Sequence, residues 1–165
     1  MVMSFKERFR FLEELKARNS HKDGTYVSLI LSRKARGGLF KWVKENNISN
    51  PLSPDEYHTT VQYSRRGIPL VTSYDFKLPE DVTIDSWKIF PSQSGKKCLV
   101  LAINSKSLQS THKDIIKKYG ATYDYETYVP HITVSYDYNS DDIPESLPDV
   151  KITFSRVNIE PLESE

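Results

Sequence analysis

His58-Thr59-Thr60-Val61-Gln62-Tyr63 and His131-Ile132-Thr133-Val134-Ser135-Tyr136 follow one pattern, His-x-Thr-Val-x-Tyr, in a chain of 165 residues with four histidines. Alternate side chains of an extended strand point to opposite faces, which groups His58, Thr60 and Gln62 against Thr59, Val61 and Tyr63. The second copy sorts into His131, Thr133 and Ser135 against Ile132, Val134 and Tyr136. Each strand is therefore expected to seat its apolar face in a core and to offer an imidazole beside a hydroxyl. Polar and apolar alternation with threonine is ordinary in a half-buried strand. Its duplication, with the same Val and Tyr, is not, and two such strands facing each other can grip a phosphodiester.

Working outward, the segments before the two copies correspond. Thr25 to Leu31 reads as a strand, and a helix follows from Ser32 to about Asn46 with Leu39, Phe40 and Val43 inward. The proline-bearing connector Asn50 to Pro54 then leads into, and is expected to aim, the first His strand. Before the second copy come a strand at Lys97 to Asn104 and a helix from Ser107 to Tyr119. That helix has Leu108, Ile115, Ile116 and Tyr119 as its core face and Gly120 at its C-terminal cap. Strand, helix, connector, His strand thus occurs twice, which predicts two pseudo-symmetric lobes. Further strands are expected at Thr72 to Phe76, Val82 to Phe90 and Val150 to Ile159, and Ser92 to Gly95 forms a turn. Ser4 to Arg18 has helical spacing and a Ser4-x-x-Glu7 capping box, as a lid or brace would.

Composition bounds the function. The length suits one domain over 1–165. With 38% hydrophobic and 27% charged residues the chain has the make-up of a soluble globular protein. A net charge of +1 argues against long nucleic acid as partner, whereas a few local cations suffice for a compact nucleotide. No stretch is apolar enough to cross a bilayer, and the N-terminal residues do not read as a secretory signal. The single Cys98, among Leu99, Val100 and Leu101, fits a buried thiol in a reducing, cytosolic compartment.

Two histidines and two threonines, without a serine or cysteine nucleophile motif, suit acid–base cleavage in which the substrate supplies the nucleophile, a ribose 2′-hydroxyl. One neutral imidazole removes the hydroxyl proton and the other, protonated, supplies one to the departing 5′-oxygen. Thr60 and Thr133 donate to the non-bridging oxygens, where charge develops. The reading takes His58 as base and His131 as acid, and the reverse order stays open because the motifs are equivalent. A zinc site is the rival, but no His-x-x-x-His or paired-cysteine spacing is present, so no metal or cofactor is expected. His21 and His112 have no motif around them and read as surface or packing residues. Among the cations, Arg65 and Arg66 are preferred for phosphate over Lys34, Arg36, Lys96 and Lys97, because they closely follow the first His strand. Of ten tyrosines, Tyr123, Tyr125 and Tyr128 crowd the approach to His131, where aromatic rings either pack or stack on bases.

The paired motifs His58/Thr60 and His131/Thr133 resemble those of the two-histidine (2H) phosphoesterase superfamily. Gly24-Thr25-Tyr26-Val27, Asn50-Pro51, His58 to Arg65, Gln93-Ser94-Gly95 and Tyr123-Asp124-Tyr125 with Tyr128-x-Pro130-His131-Ile132-Thr133 resemble, more closely, the phage anti-CBASS phosphodiesterases within it. The resemblance implies an α+β bilobal fold, two antiparallel-sheet lobes with outer helices and a central cleft. It also implies metal-independent cleavage of cyclic di- and trinucleotide antiphage signals at a 3′–5′ linkage following adenosine, in the host bacterial cytoplasm; separately from the resemblance, the chain is expected to be a monomer. It carries catalysis to His58 and His131, phosphate binding to Thr60 and Thr133, base stacking to Tyr26, and base contacts to Trp87 and Glu160. The alternatives are a two-histidine enzyme acting on RNA ends or 2′,3′-cyclic phosphates, and a sponge that binds the nucleotide without cutting it.

Overall fold

A computed structural model describes residues 24–69, 76–92 and 94–162. The expected helix at Ser4 to Arg18 and nearly all of the expected strand at Thr72 to Phe76 lie outside them. The chain runs β1 (Thr25–Leu31), α1 (Arg33–Glu45), a 3-10 turn (Pro54–Glu56), β2 (His58–Ser64), β3 (Thr83–Pro91), β4 (Lys97–Asn104), α2 (Lys106–Tyr119), β5 (His131–Ser135) and β6 (Phe154–Pro161). The strands form two antiparallel three-stranded sheets, β2-β1-β6 and β3-β4-β5. β1 and β4 are central, and the two His strands are edges that approach each other within 8 Å between Cα atoms. The predicted pseudo-symmetry is thus present, with β2 matching β5 along the midline and β6 matching β3 at the two rims.

Local signals set both helices. Ser32 caps α1 by accepting from the Ala35 amide (3.2 Å), and Ala35, Leu39 and Val43 form its buried stripe. Gly38 lies where a Cβ would meet Val150 at 3.2 Å, so the glycine permits a close approach there. Ser105 caps α2 by accepting from the Leu108 amide (3.1 Å). Gly120 ends it with φ of +68°, its amide donating to the Ile116 carbonyl (3.0 Å). The carboxylate of Asp81 accepts from the Ser105 hydroxyl and from the hydroxyl and amide of Ser107, which holds it well below the usual carboxylate range. The buried face of α2 is Leu108, His112 and Ile115. Ile116, expected inside, is exposed, because it stands one position off that stripe.

The core lies on the faces turned away from the histidines. Val27, Leu29, Leu31, Leu99, Leu101, Ile103, Ile132 and Val134 are each 0–2% exposed. The last strand begins at Phe154 rather than Val150. Thr153 is instead used by Ser32, through amide to carbonyl (2.8 Å) and hydroxyl to hydroxyl (2.5 Å). The proline connector leads into the first His strand and makes a second set of contacts. Before handing the chain into β2 through the 3-10 turn, it clamps β5: the Leu52 amide donates to the Val134 carbonyl (2.9 Å), and the Ser135 hydroxyl donates to the carbonyl oxygens of Ser49 (2.8 Å) and Asn50 (3.0 Å).

Candidate active site

Both His strands carry a β-bulge at the same point of the motif. Val27 pairs with Gln62 and Ser28 with Thr60, so Val61 is the extra residue; Leu99 pairs with Ser135 and Val100 with Thr133, so Val134 is. A bulge inverts the alternation beyond it, which corrects the simple face assignment. Gln62 and Ser135 turn inward and are fully buried, while Tyr63 and Tyr136 are 39% and 48% exposed. Tyr63 is thereby set opposite Tyr26, ring to ring at 5.9 Å. A bulge also frees a carbonyl from the ladder, and each one finds an outside donor. His112 Nδ1 donates to the Val61 carbonyl (2.8 Å), and the Leu52 amide serves Val134. His112, read as a surface or packing residue, is a buried packing residue that stacks on Tyr128 at 4.1 Å.

The two motif histidines are held alike. His58 Nδ1 lies 2.7 Å from the Glu56 carbonyl and His131 Nδ1 lies 2.8 Å from the Val129 carbonyl, each two residues back along the chain. A carbonyl only accepts, so Nδ1 carries the hydrogen in both rings and Nε2 is left for chemistry. Both are half-buried at the midline. They differ in surroundings. Burial and, secondarily, the charge of His58 push the His131 pKa down, against the opposing effect of the Val129 carbonyl. The ring of Phe90 meets that of His131 edge-on at 5.1 Å.

Thr60 and Thr133 are half-buried beside their histidines. The Tyr26 hydroxyl lies 2.7 Å from Thr60 Oγ1, and burial raises the Tyr26 pKa, so the phenol keeps its proton. Tyr128, buried, donates to the Thr60 carbonyl (2.6 Å) and fixes the backbone at the motif. Glu160 pairs across the ladder with Tyr26 and is exposed on the same face. Tyr125 is 72% exposed next to the half-buried Tyr123, so of the three tyrosines preceding His131 it is the most open to a ligand.

Two expected contacts are placed elsewhere. Trp87 pairs with Leu101 and is 3% exposed, on the face opposite His131, which pairs with the adjacent Ala102. Its ring stacks on Trp42 of α1 at 5.2 Å and its indole N–H donates to the Ser146 carbonyl (2.9 Å), so Trp87 is a core residue. The aromatic on the histidine side of β3 is Phe90, three residues on, which strand parity would have found once the register was known. Arg65 makes a two-pronged ion pair with Asp124, both nitrogens at 2.9 Å, and so braces the segment after β2 against the approach to β5 instead of offering a free cation. Among the described residues no three His, Cys, Asp or Glu side chains gather as metal ligands would.

Residues 23–165 match the family described as anti-CBASS protein Acb1. The chain belongs to that family. It is 36% identical over 144 residues to the anti-CBASS protein Acb1 of Vibrio phage KVP40, covering 86% of this chain and 89% of the relative. To the Acb1 of Enterobacteria phage T4 it is 32% identical over 115 residues, covering 69% and 72%. Among solved structures, E. coli LigT complexed with ATP aligns with 87% of this chain and 99% of its own, at 11% identity and a TM-score of 0.47. Acb1 membership thus rests on the sequence match, while the geometry of the paired motifs comes from the present structure.

Proposed function

We propose that the protein is a metal-independent phosphodiesterase that opens cyclic di- and trinucleotide immune signals inside the infected bacterium. Membership of the Acb1 family supports the class of target, and one structural observation supports the chemistry: two imidazoles, each locked by an Nδ1–carbonyl hydrogen bond, present Nε2 from adjacent strands with a threonine beside each. Both motifs belong to one chain, so a single subunit holds the whole apparatus.

The reacting phosphate sits between Thr60 and Thr133. A neutral histidine takes the proton from the ribose 2′-hydroxyl as the O2′–P bond forms, and the other donates its Nε2 proton to O5′ as the P–O5′ bond breaks. The first product is a linear strand ending in a 2′,3′-cyclic phosphate. Burial favours neutral His131, which supports His131 as base and His58 as acid, the reverse of the order named first from the sequence. In this reading the Tyr26 hydroxyl is the donor of its 2.7 Å hydrogen bond with Thr60, which leaves the Thr60 hydroxyl hydrogen for a non-bridging oxygen, while Thr133 serves another. The exposed rings of Tyr63 and Tyr136, both close to Tyr26, are surfaces for bases, and the exposed Tyr125 is a further candidate.

The test is single-turnover cleavage of a cyclic trinucleotide by His58→Ala and His131→Ala. Each loss is expected to lower the rate by about a hundred- to ten-thousand-fold. Unchanged rates in both variants would sink the mechanism, and loss of free ligand without any new product would identify a sponge.

A further inference from the structure

The strand registers decide which residues share the histidine face, and the rim strands contribute one cation each to it. In one sheet the cross-strand row is Lys88, Val100, Thr133; in the other it is Arg156, Ile30, His58. Lys88 is fixed on this face by parity with Phe90, whose ring touches His131. Arg156 shares its face with Glu160, the cross-strand partner of Tyr26. Both cations are exposed, and among the described residues neither enters an ion pair, unlike Arg65, Lys96 and Lys97. Each stands two strand spacings, about 10 Å between Cα atoms, from a midline residue, on opposite sides of the phosphate position. Glu160 is four residues along β6 from Arg156, about 13 Å away, so it does not neutralise the guanidinium.

Resting on the phosphodiesterase reading above, we propose that Lys88 and Arg156 are a pair of rim cations that hold the phosphates not being cut, and thereby select cyclic oligonucleotides, which carry two or three phosphates, over substrates with one. The scissile phosphate occupies the midline between the histidines. Closing the nucleotide into a ring turns its other phosphates toward the rims, where the threonines cannot reach. With a whole-chain charge of only +1, these local cations supply the attraction that the overall field does not.

The experiment compares wild type with Lys88→Ala, Arg156→Ala, their double variant and Lys88→Arg. The substrates are a cyclic trinucleotide and the linear dinucleotide ApA, which offers one phosphodiester and the same 2′-hydroxyl, over a range of salt. Each alanine is expected to raise KM for the cyclic substrate about fivefold. It should also make the log–log dependence on salt shallower by about 0.7 for each phosphate no longer held by a cation. The effect on ApA should be smaller, Lys88→Arg should retain most of the affinity, and Lys41→Ala, on the exposed side of α1, serves as the neutral control. Wild-type KM and salt slope in the double variant would overturn the proposal. Calorimetric binding of the cyclic trinucleotide to protein carrying His58→Ala and His131→Ala separates this idea from the catalytic one. Weaker binding on adding Lys88→Ala and Arg156→Ala upholds the cation pair even where wild type shows no cleavage, and unchanged binding overturns it.

Discussion

Tyr26→Phe removes one oxygen and keeps the ring, so it separates the two roles open to Tyr26. The hydroxyl lies 2.7 Å from Thr60 Oγ1 in a half-buried setting, and a neutral hydrogen bond of this kind contributes about 1 kcal/mol, a factor of about five. Thr60→Val removes the transition-state donor itself and is expected to cost about a hundred- to a thousandfold in kcat. If Tyr26 acts through Thr60, adding Tyr26→Phe to Thr60→Val should cost nothing more, giving a coupling of about 1 kcal/mol in the double-mutant cycle. KM should stay near wild type in Tyr26→Phe and rise in Tyr26→Ala, which also loses the stacking surface. The assay is steady-state cleavage of a cyclic trinucleotide by the four proteins of the cycle. Additive losses in kcat, or a wild-type kcat in Tyr26→Phe, would refute the positioning role.

His131 as base predicts that the acid limb of kcat/KM falls below pH 6.5, since its pKa is depressed; a limb displaced above 6.5 would contradict the assignment. The same histidine and His112, both depressed chiefly by burial, bind a proton more readily unfolded than folded. Their contribution to stability should therefore be complete above about pH 6.5 and be lost as pH falls through the folded pKa values, measurable as a falling Tm. His112→Phe keeps the stacking on Tyr128 but orphans the Val61 carbonyl, and denaturant melts should show a loss of about 1–3 kcal/mol. Trp87→Ala should cost about 3–5 kcal/mol in the same melts, whereas Phe90→Ala should chiefly raise KM; a KM defect confined to the Trp87 variant would reverse their placement.

The elements were legible because their signals are local: strand alternation in β1 and β4, the serine caps of both helices, and Gly120 in the left-handed region. The midline pairing of the two motifs was legible from their duplication. What escaped reading depends on register. Nothing in the sequence announces that Val61 and Val134 bulge, so Tyr63 and Tyr136 were assigned to the wrong face and Gln62 and Ser135 with them. Trp87 and Phe90 differ by an odd number of residues on one strand, and only the pairing with β4 tells which of them meets His131. Arg65 stands close to the first motif along the chain, but its partner Asp124 lies 59 residues away. The clamp of the proline connector on β5 is likewise a long-range contact, invisible to local pattern.

The central claim is that the paired strands cut a ring by using the nucleotide's own 2′-hydroxyl. It is tested most directly by incubating wild-type protein with a cyclic trinucleotide in heavy-oxygen water with a chelator, and weighing the first product by mass spectrometry. Attack by the 2′-hydroxyl predicts a linear strand with a 2′,3′-cyclic phosphate end and no heavy oxygen, formed at an undiminished rate. A first product that already carries one heavy oxygen, or cleavage abolished by the chelator, would contradict it.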